Sequence, residues 1–406
     1  MNLQNSHRRF SSRFKWNLQA NRLALLLDEK RQKRIKTFDL TESNPTAVGF
    51  DYPAEAILQA LAQPAALRYE PHPRGLLSAR EAVAEYYRQR GHEVEVDRIH
   101  LTASTSEAYT FLFKLLADSG QNVLVPQPSY PLFDFLAGFE GVELVPYRLV
   151  YNTENDEWQI DFDSMQESIT PQTRAIIVVN PNNPTGSFVK RDELANLTRL
   201  SAEHNLALIA DEVFSDYIFS SDSKRVESLV GISESLTFVM SGLSKILGLP
   251  QMKLGWIVAN GPEKWRVQAQ EYLDLLADTH LSVSTPVQHA APKWLQLKEI
   301  LQNQISARVK ANFDFLQTQL APPLAGRCRV LRAEGGWYAV LEIFNLPSEE
   351  EFILSALEND NVLVHPGYFF DFQAEGFLVL SLLPAPEIFR EGLGRLLMRL
   401  QDKMAI

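Results

Sequence analysis

The chain has 406 residues, 45% of them apolar and 22% charged, with a formal net charge of -11 and one cysteine, Cys328. Such a length suits one large globular domain with a smaller one, and the acidic balance excludes nucleic acid or anionic membrane as the main partner, because a phosphate footprint needs clustered Lys and Arg. A single cysteine excludes an intramolecular disulfide and a thiolate metal centre, so no metal is expected and a reducing cytoplasm fits best; no window reaches the roughly 18 to 20 apolar residues of a membrane span.

The start, MNLQNSHRRFSSRFKW, is basic with an Arg pair at Arg8 and Arg9, but no apolar core follows at signal-peptide spacing. It reads as an N-terminal arm, with an organelle transit peptide as the alternative. ASTSEAYTFLFKLLADSG predicts a helix: Ala108, Phe111, Leu112, Leu115 and Leu116 recur at helical spacing, Ser104 and Glu107 have capping-box spacing, and Gly120 supplies a stop. Short continuous apolar runs recur at NVLVP (from Asn122), AIIVV (from Ala175), LALIA (from Leu206), LTFVM (from Leu236) and GWIVA (from Gly255). Continuous rather than alternating hydrophobicity means that both faces of a strand are covered, which predicts an α/β domain around a mostly parallel sheet. Ligands collect outside the carboxyl ends of such strands, where Asn183, Asp211 and Lys245 fall. Past Gly261, EKWRVQAQEYLDLLADTH predicts a helix, and the segment from Ser282 to Leu320 one long helical region; after Pro322 and Pro323 the texture turns to strands such as RCRVLRAEGGWYAVLEI and FLVLSLL. The expected division is an arm at 1–45 contributing to the small domain, a large domain at 46–305 and a small α+β domain at 306–406. No internal repeat or low-complexity tract interrupts it.

Lys245, in SGLSKILGLPQMKLGW, directly follows a buried run and has small and apolar neighbours. Desolvation there lowers an amine's pKa toward the neutral form that attacks a carbonyl, which is the chemistry of a Schiff-base lysine. Two upstream segments, NPNNPTG (Asn180 to Gly186) and ADEVFSDY (Ala210 to Tyr217), strengthen that reading. Asp211 alone would serve as a helix cap. Beside such a lysine it is a carboxylate able to hold a cofactor ring nitrogen protonated, as an electron sink requires.

In this order and spacing, NPNNPTG, ADEV and SK followed by GLPQMKLGW resemble the class I/II aminotransferases of the aspartate aminotransferase superfamily, fold type I of the pyridoxal phosphate enzymes. The resemblance implies that Lys245 bonds the cofactor aldehyde and later carries the proton between the substrate α-carbon and the cofactor. It implies that Asp211 pairs with the ring nitrogen, that Asn183 donates to the ring hydroxyl and reaches the substrate, and that Tyr130 stacks on the ring. Ser104, Thr105 and Ser106, at a capped helix start, with Ser244 and Lys253, would take the phosphate. Tyr69 would cross from a neighbouring subunit to that phosphate, making a homodimer.

The chain departs from the family pattern at four positions. Lys253 stands where the family usually has arginine, a point charge in place of a bidentate fork. Phe214 replaces a tyrosine that donates to the ring oxygen, Ser43 replaces a glycine in LTESNP, and Val379 occupies the place of the arginine that clamps the substrate α-carboxylate. Arg74 is the candidate to take over that clamp, with backbone donors near Ser43 and Asn44, and Asn183, sharing the task. The expected activity is a cytoplasmic, homodimeric aminotransferase moving an amino group between an amino acid and a 2-oxo acid. A pyridoxal phosphate-dependent lyase catalysing β-elimination or decarboxylation is the alternative, and a cofactor-binding regulator a further one.

Overall fold

The computed structural model describes residues 10–320 and 326–403. Arg8, Arg9, Pro322 and Pro323, singled out above, lie outside the described residues. An eight-stranded sheet runs, in spatial order, Ile99–Thr102, Gly255–Asn260, Thr237–Gly242, Ala207–Asp211, Thr173–Val179, Asn122–Gln127, Glu143–Asn152 and Glu157–Ile160. The five strands from Thr237–Gly242 to Glu143–Asn152 pair in parallel. Ile99–Thr102, Gly255–Asn260 and Glu157–Ile160 join antiparallel.

All five apolar runs form strands of this sheet, and their continuous hydrophobicity has a packing cause. Leu208 and Ala210 face a core shared with Tyr86 and Trp294, from the helices Leu77–Gln89 and Thr285–Gln296. Ala207 and Ile209 face the opposite core, shared with Phe111 and Leu273 from the helices Thr105–Leu116 and Glu263–His280. With helices on both sides the strands Ala207–Asp211, Thr237–Gly242 and Gly255–Asn260 are buried throughout, and each large apolar side chain so buried contributes roughly 1.5–3 kcal/mol.

The small domain is built on a four-stranded antiparallel sheet in the order Cys328–Val330, Tyr338–Ile343, Phe377–Ser381, His365–Pro366. The N-terminal segment joins it: Phe38–Asp39 pairs in parallel with Val362–Leu363, and Leu23, Phe38 and Leu40 enter its core. The helical region after Ser282 is two helices, Thr285–Gln296 and Lys298–Gln319, that meet at Leu297. The expected domain boundary at 305/306 falls inside the second helix, whose Ile305, Val309 and Phe313 pack in the small-domain core. No described helix is long and apolar enough to cross a membrane.

Two loops lock the domains together. Glu334 and Gly335 donate their N–H groups to the Gly186 carbonyl, at 3.0 and 3.1 Å, and Gly336 N–H donates to the Tyr217 carbonyl at 2.8 Å. Gly186 has φ +71°, and a Cβ there would stand 2.5 Å from the Gly335 carbonyl oxygen. Only glycine lets the two backbones approach so closely. Lys190 and Glu334 close the junction as a buried ion pair.

Candidate active site

The strands Thr173–Val179, Ala207–Asp211 and Thr237–Gly242 are parallel neighbours, so their carboxyl ends deliver three polar groups to one place. Asp211 ends its strand, buried, and its carboxylate accepts from the Tyr109 hydroxyl at 3.0 Å and from the Val213 N–H at 3.2 Å. Burial pushes its pKa up to about 6, against the opposing pull of those donors and of the Lys245 charge.

Lys245 sits on the short helix Leu243–Ile246 that follows the third strand. Its carbonyl accepts from the Tyr217 hydroxyl at 2.6 Å, which fixes the backbone, and its amine lies 4.8 Å from the Trp337 ring centre and 5.2 Å from that of Phe214. The residue keeps a partly open face, while the amine is enclosed by rings. Desolvation pulls its pKa down to about 8, and the neighbouring Asp211 charge limits the fall.

Asn183 is buried on the loop after Val179, and its side-chain oxygen has no hydrogen-bond partner. Asn182 orders the loop: its side-chain oxygen takes the Thr185 N–H and hydroxyl, and its amide donates to the Pro128 carbonyl at 3.3 Å. That contact brings in Tyr130, which is partly buried, with its ring edge-on to Phe133. Burial, then the nearby Tyr338 phenol and Asp211, push its pKa up to about 12.

Ser104 caps the helix Thr105–Leu116 by accepting the Glu107 N–H, and Glu107 turns back to the Ala103 N–H, the reciprocal pattern expected from the spacing with a one-residue offset. The helix ends at Leu116, before Gly120. Its first turn, with Thr105 and Ser106, lies against the strand Gly255–Asn260, where a Cβ on Gly255 would stand 3.1 Å from the Ser104 carbonyl carbon. Ser244 is partly buried next to Lys245, whereas Lys253 is exposed, with a left-handed backbone at φ +52°.

The residues considered for the substrate are placed differently. Ser43 lies by the Tyr338 phenol, whose pKa is raised by burial against the Ser43 hydrogen bond. Asn44 uses its side-chain oxygen to cap the turn Pro45–Ala47. Tyr69 is 75% exposed. The Arg74 guanidinium is engaged within its own chain, by both Asp274 oxygens at 2.7 and 2.6 Å and by the Asp97 carbonyl at 2.7 Å. As a carboxylate clamp it would first have to release that fork, which counts against the role. Val379 is fully buried among Trp158, Leu331, Val340 and Phe370. Tyr109, which holds Asp211, and Trp337, beside the Lys245 amine, also border the site and were not singled out from the sequence; the double glycine before Trp337, in AEGGWY, was the available signal.

The family model for aminotransferases of class I and II matches residues 36–390. The chain belongs to the class I and II aminotransferase family. It is 33% identical over 265 residues to the glutamate–pyruvate aminotransferase AlaA of Escherichia coli, a stretch that is 65% of this chain and 64% of that enzyme's length. It is 31% identical over 357 residues to the alanine aminotransferase of Mycobacterium tuberculosis, 85% of this chain and 81% of that one. Among solved structures, the alanine aminotransferase from Pyrococcus furiosus superposes with a TM-score of 0.83 at 29% identity, over 94% of this chain and 96% of that chain. The chain therefore has the type I architecture expected for its sheet.

Proposed function

We propose that this aminotransferase moves an amino group between an amino acid and a 2-oxo acid, using pyridoxal phosphate held on Lys245. The observation that carries the reading is a desolvated amine, a buried carboxylate and an amide with an unpartnered oxygen at the ends of three neighbouring strands. Three buried polar atoms have no partner: Asn183 Oδ1 and Ser129 Oγ, on the loops that follow two neighbouring strands, and Trp337 Nε1, on the ring beside the Lys245 amine. Isolated groups of this kind are costly, and a polar cofactor with its substrate would satisfy them.

When bound, the cofactor supplies a pyridine ring that accepts the electron pair released at the substrate α-carbon. The chain does the rest. Asp211 holds the ring nitrogen's proton, and Tyr109 and the Val213 N–H hold Asp211 in place. Asn183 orients the ring hydroxyl, and Tyr130 covers the ring. Ser104, Thr105, Ser106, Ser244 and Lys253 hold the phosphate. Lys245, neutral over much of the slightly alkaline range, takes the α-carbon proton and returns it. Tyr69 completes the phosphate site of a second copy in a homodimer, consistent with its exposure, and the lone Cys328 suits a cytoplasmic location.

Borohydride reduction of the holoenzyme followed by peptide mapping tests the assignment. The label is expected on Lys245, and a label on any other lysine overturns it.

A further inference from the structure

From the Lys245 amine a continuous row of rings leads along the small-domain wall. Trp337 and Phe214 contact the amine and each other, at 5.3 Å between ring centres; Phe214 is 6.3 Å from Tyr338, Tyr338 is 6.2 Å from Phe370, and Phe370 is 5.7 Å from His365. Phe370 is pinned by its carbonyl, which accepts the Ser129 N–H at 2.9 Å, next to Tyr130. Trp337, Phe214 and Phe370 are buried, whereas Tyr338 keeps an open face. Tyr338 is thus the partly exposed ring of the row, close enough to the Tyr130 phenol of the large domain to raise its pKa.

Four basic groups are committed elsewhere. Lys190 pairs with Glu334, Arg74 with Asp274, and Arg329 with Glu342; Arg308 donates to the Val48 and Leu383 carbonyls. His365 pairs in register with Val379, and burial holds its ring neutral at physiological pH. None of these four is free to meet a second carboxylate on a substrate, and a buried unpaired charge is strongly disfavoured. An aromatic or bulky apolar group meets rings, which bury large areas and add edge-to-face contacts.

We infer that Tyr338 is the specificity-determining residue of this site, and that the enzyme prefers amino acids with aromatic or bulky apolar side chains over dicarboxylic ones. This rests on the aminotransferase reading above. Ser43 sets the Tyr338 ring through the phenol, and the preceding residue is fixed by its Glu42 carbonyl, which accepts the Ser381 hydroxyl at 2.6 Å. The preference differs from what the glutamate and alanine names of the relatives would suggest, so substrate kinetics separate the two.

The test measures half-reactions of the holoenzyme with phenylalanine, leucine, alanine, aspartate and glutamate, in the wild type and in Tyr338→Ala and Tyr338→Phe. Phenylalanine and leucine are expected to exceed glutamate and aspartate in kcat/KM by about tenfold or more. Tyr338→Ala is expected to lower kcat/KM for phenylalanine by about tenfold while changing that for alanine by less than about threefold, and Tyr338→Phe to stay near wild type for phenylalanine. Glutamate reacting as well as phenylalanine overturns the inference, as does an equal loss for alanine and phenylalanine in Tyr338→Ala, which would mark a structural role. If no amino acid converts at all, the aminotransferase reading fails and the inference with it, an outcome distinct from conversion of glutamate alone.

Discussion

Placing Lys245 and Asp211 inside the protein costs stability for as long as both are charged, and the pH dependence of folding follows from that. The unfolded chain keeps the Lys245 proton to about 10.5, while the folded protein releases it near 8. Between these values the unfolded state binds more protons, so this group's contribution to stability rises with pH from 8 to 10.5, and below 8 the buried charge exacts its full cost. Asp211 runs the other way: the folded protein holds its proton up to about 6, the unfolded chain only to 3.8, so its contribution falls as pH rises across that window and stays low above it. Lys245→Met is therefore expected to stabilise the cofactor-free protein at pH 7 by about 1–3 kcal/mol, an upward shift in Tm measurable by calorimetry, while abolishing borohydride trapping. A fall in Tm would contradict the desolvation argument. Asp211→Asn is expected to cut turnover by about a hundredfold or more without loss of folding. Unchanged single-turnover rates in that variant would remove Asp211 from the chemistry.

At the scale of elements, the loop carrying Asn183 has its shape imposed by the loop around Trp337. Lys190 donates to Glu334 and to the Phe188 carbonyl, and Glu334 also accepts the Phe188 N–H at 3.0 Å. Removing one partner leaves the other charge buried and unpaired. Lys190→Met should cost about 3–5 kcal/mol in denaturant unfolding, and adding Glu334→Leu should recover more than half of that loss. A double variant no better than the single one would mean that the pair matters through packing alone. The arm makes a second inter-element contact, where Trp16 packs on the helix Phe133–Glu140 against Phe135 and Phe139. A Cβ on Gly138 would stand 2.7 Å from the Trp16 ring, so Gly138→Ala should displace the arm at about 1–2 kcal/mol and change the tryptophan emission. Emission identical to wild type would show that the ring seats elsewhere in solution.

For the molecule as a whole, the proposed dimer makes a prediction that no single subunit does. If Tyr69 serves the phosphate of a second copy, mixing inactive Tyr69→Ala and Lys245→Ala chains after dissociation creates hybrids with one intact site, and random pairing should restore about a quarter of wild-type activity. Verified hybrids without recovery would mean that each site is built from one chain. Arg74 fits this scale too. Its fork to Asp274, shared with His100 at 2.9 Å, ties the loop bearing Tyr69 to the helix Glu263–His280.

The architecture was legible in the sequence because its signals are local. Runs such as AIIVV and LALIA are apolar without alternation, which only a strand covered on both faces tolerates, and the Ser104 cap announces the start of its helix. The order of NPNNPTG, ADEV and SK identified the family for the same reason: short stretches of chain hold Asn183, Asp211 and Lys245 at strand ends. What local sequence did not carry is which distant groups meet. Tyr109 lies 102 residues from the Asp211 that it supports, and Arg74 lies 200 residues from the Asp274 that occupies its guanidinium. Such pairings depend on how the sheet stacks its strands and how the small domain docks, and neither is a property of any window of residues. The sequence by itself determined the fold class, the family and the strand-end residues. The tertiary structure alone decided that Arg74 is engaged, that Val379 is sealed in an apolar cluster and that Trp337 and Phe214 enclose the Lys245 amine, because burial and charge pairing are set by neighbours in space rather than along the chain.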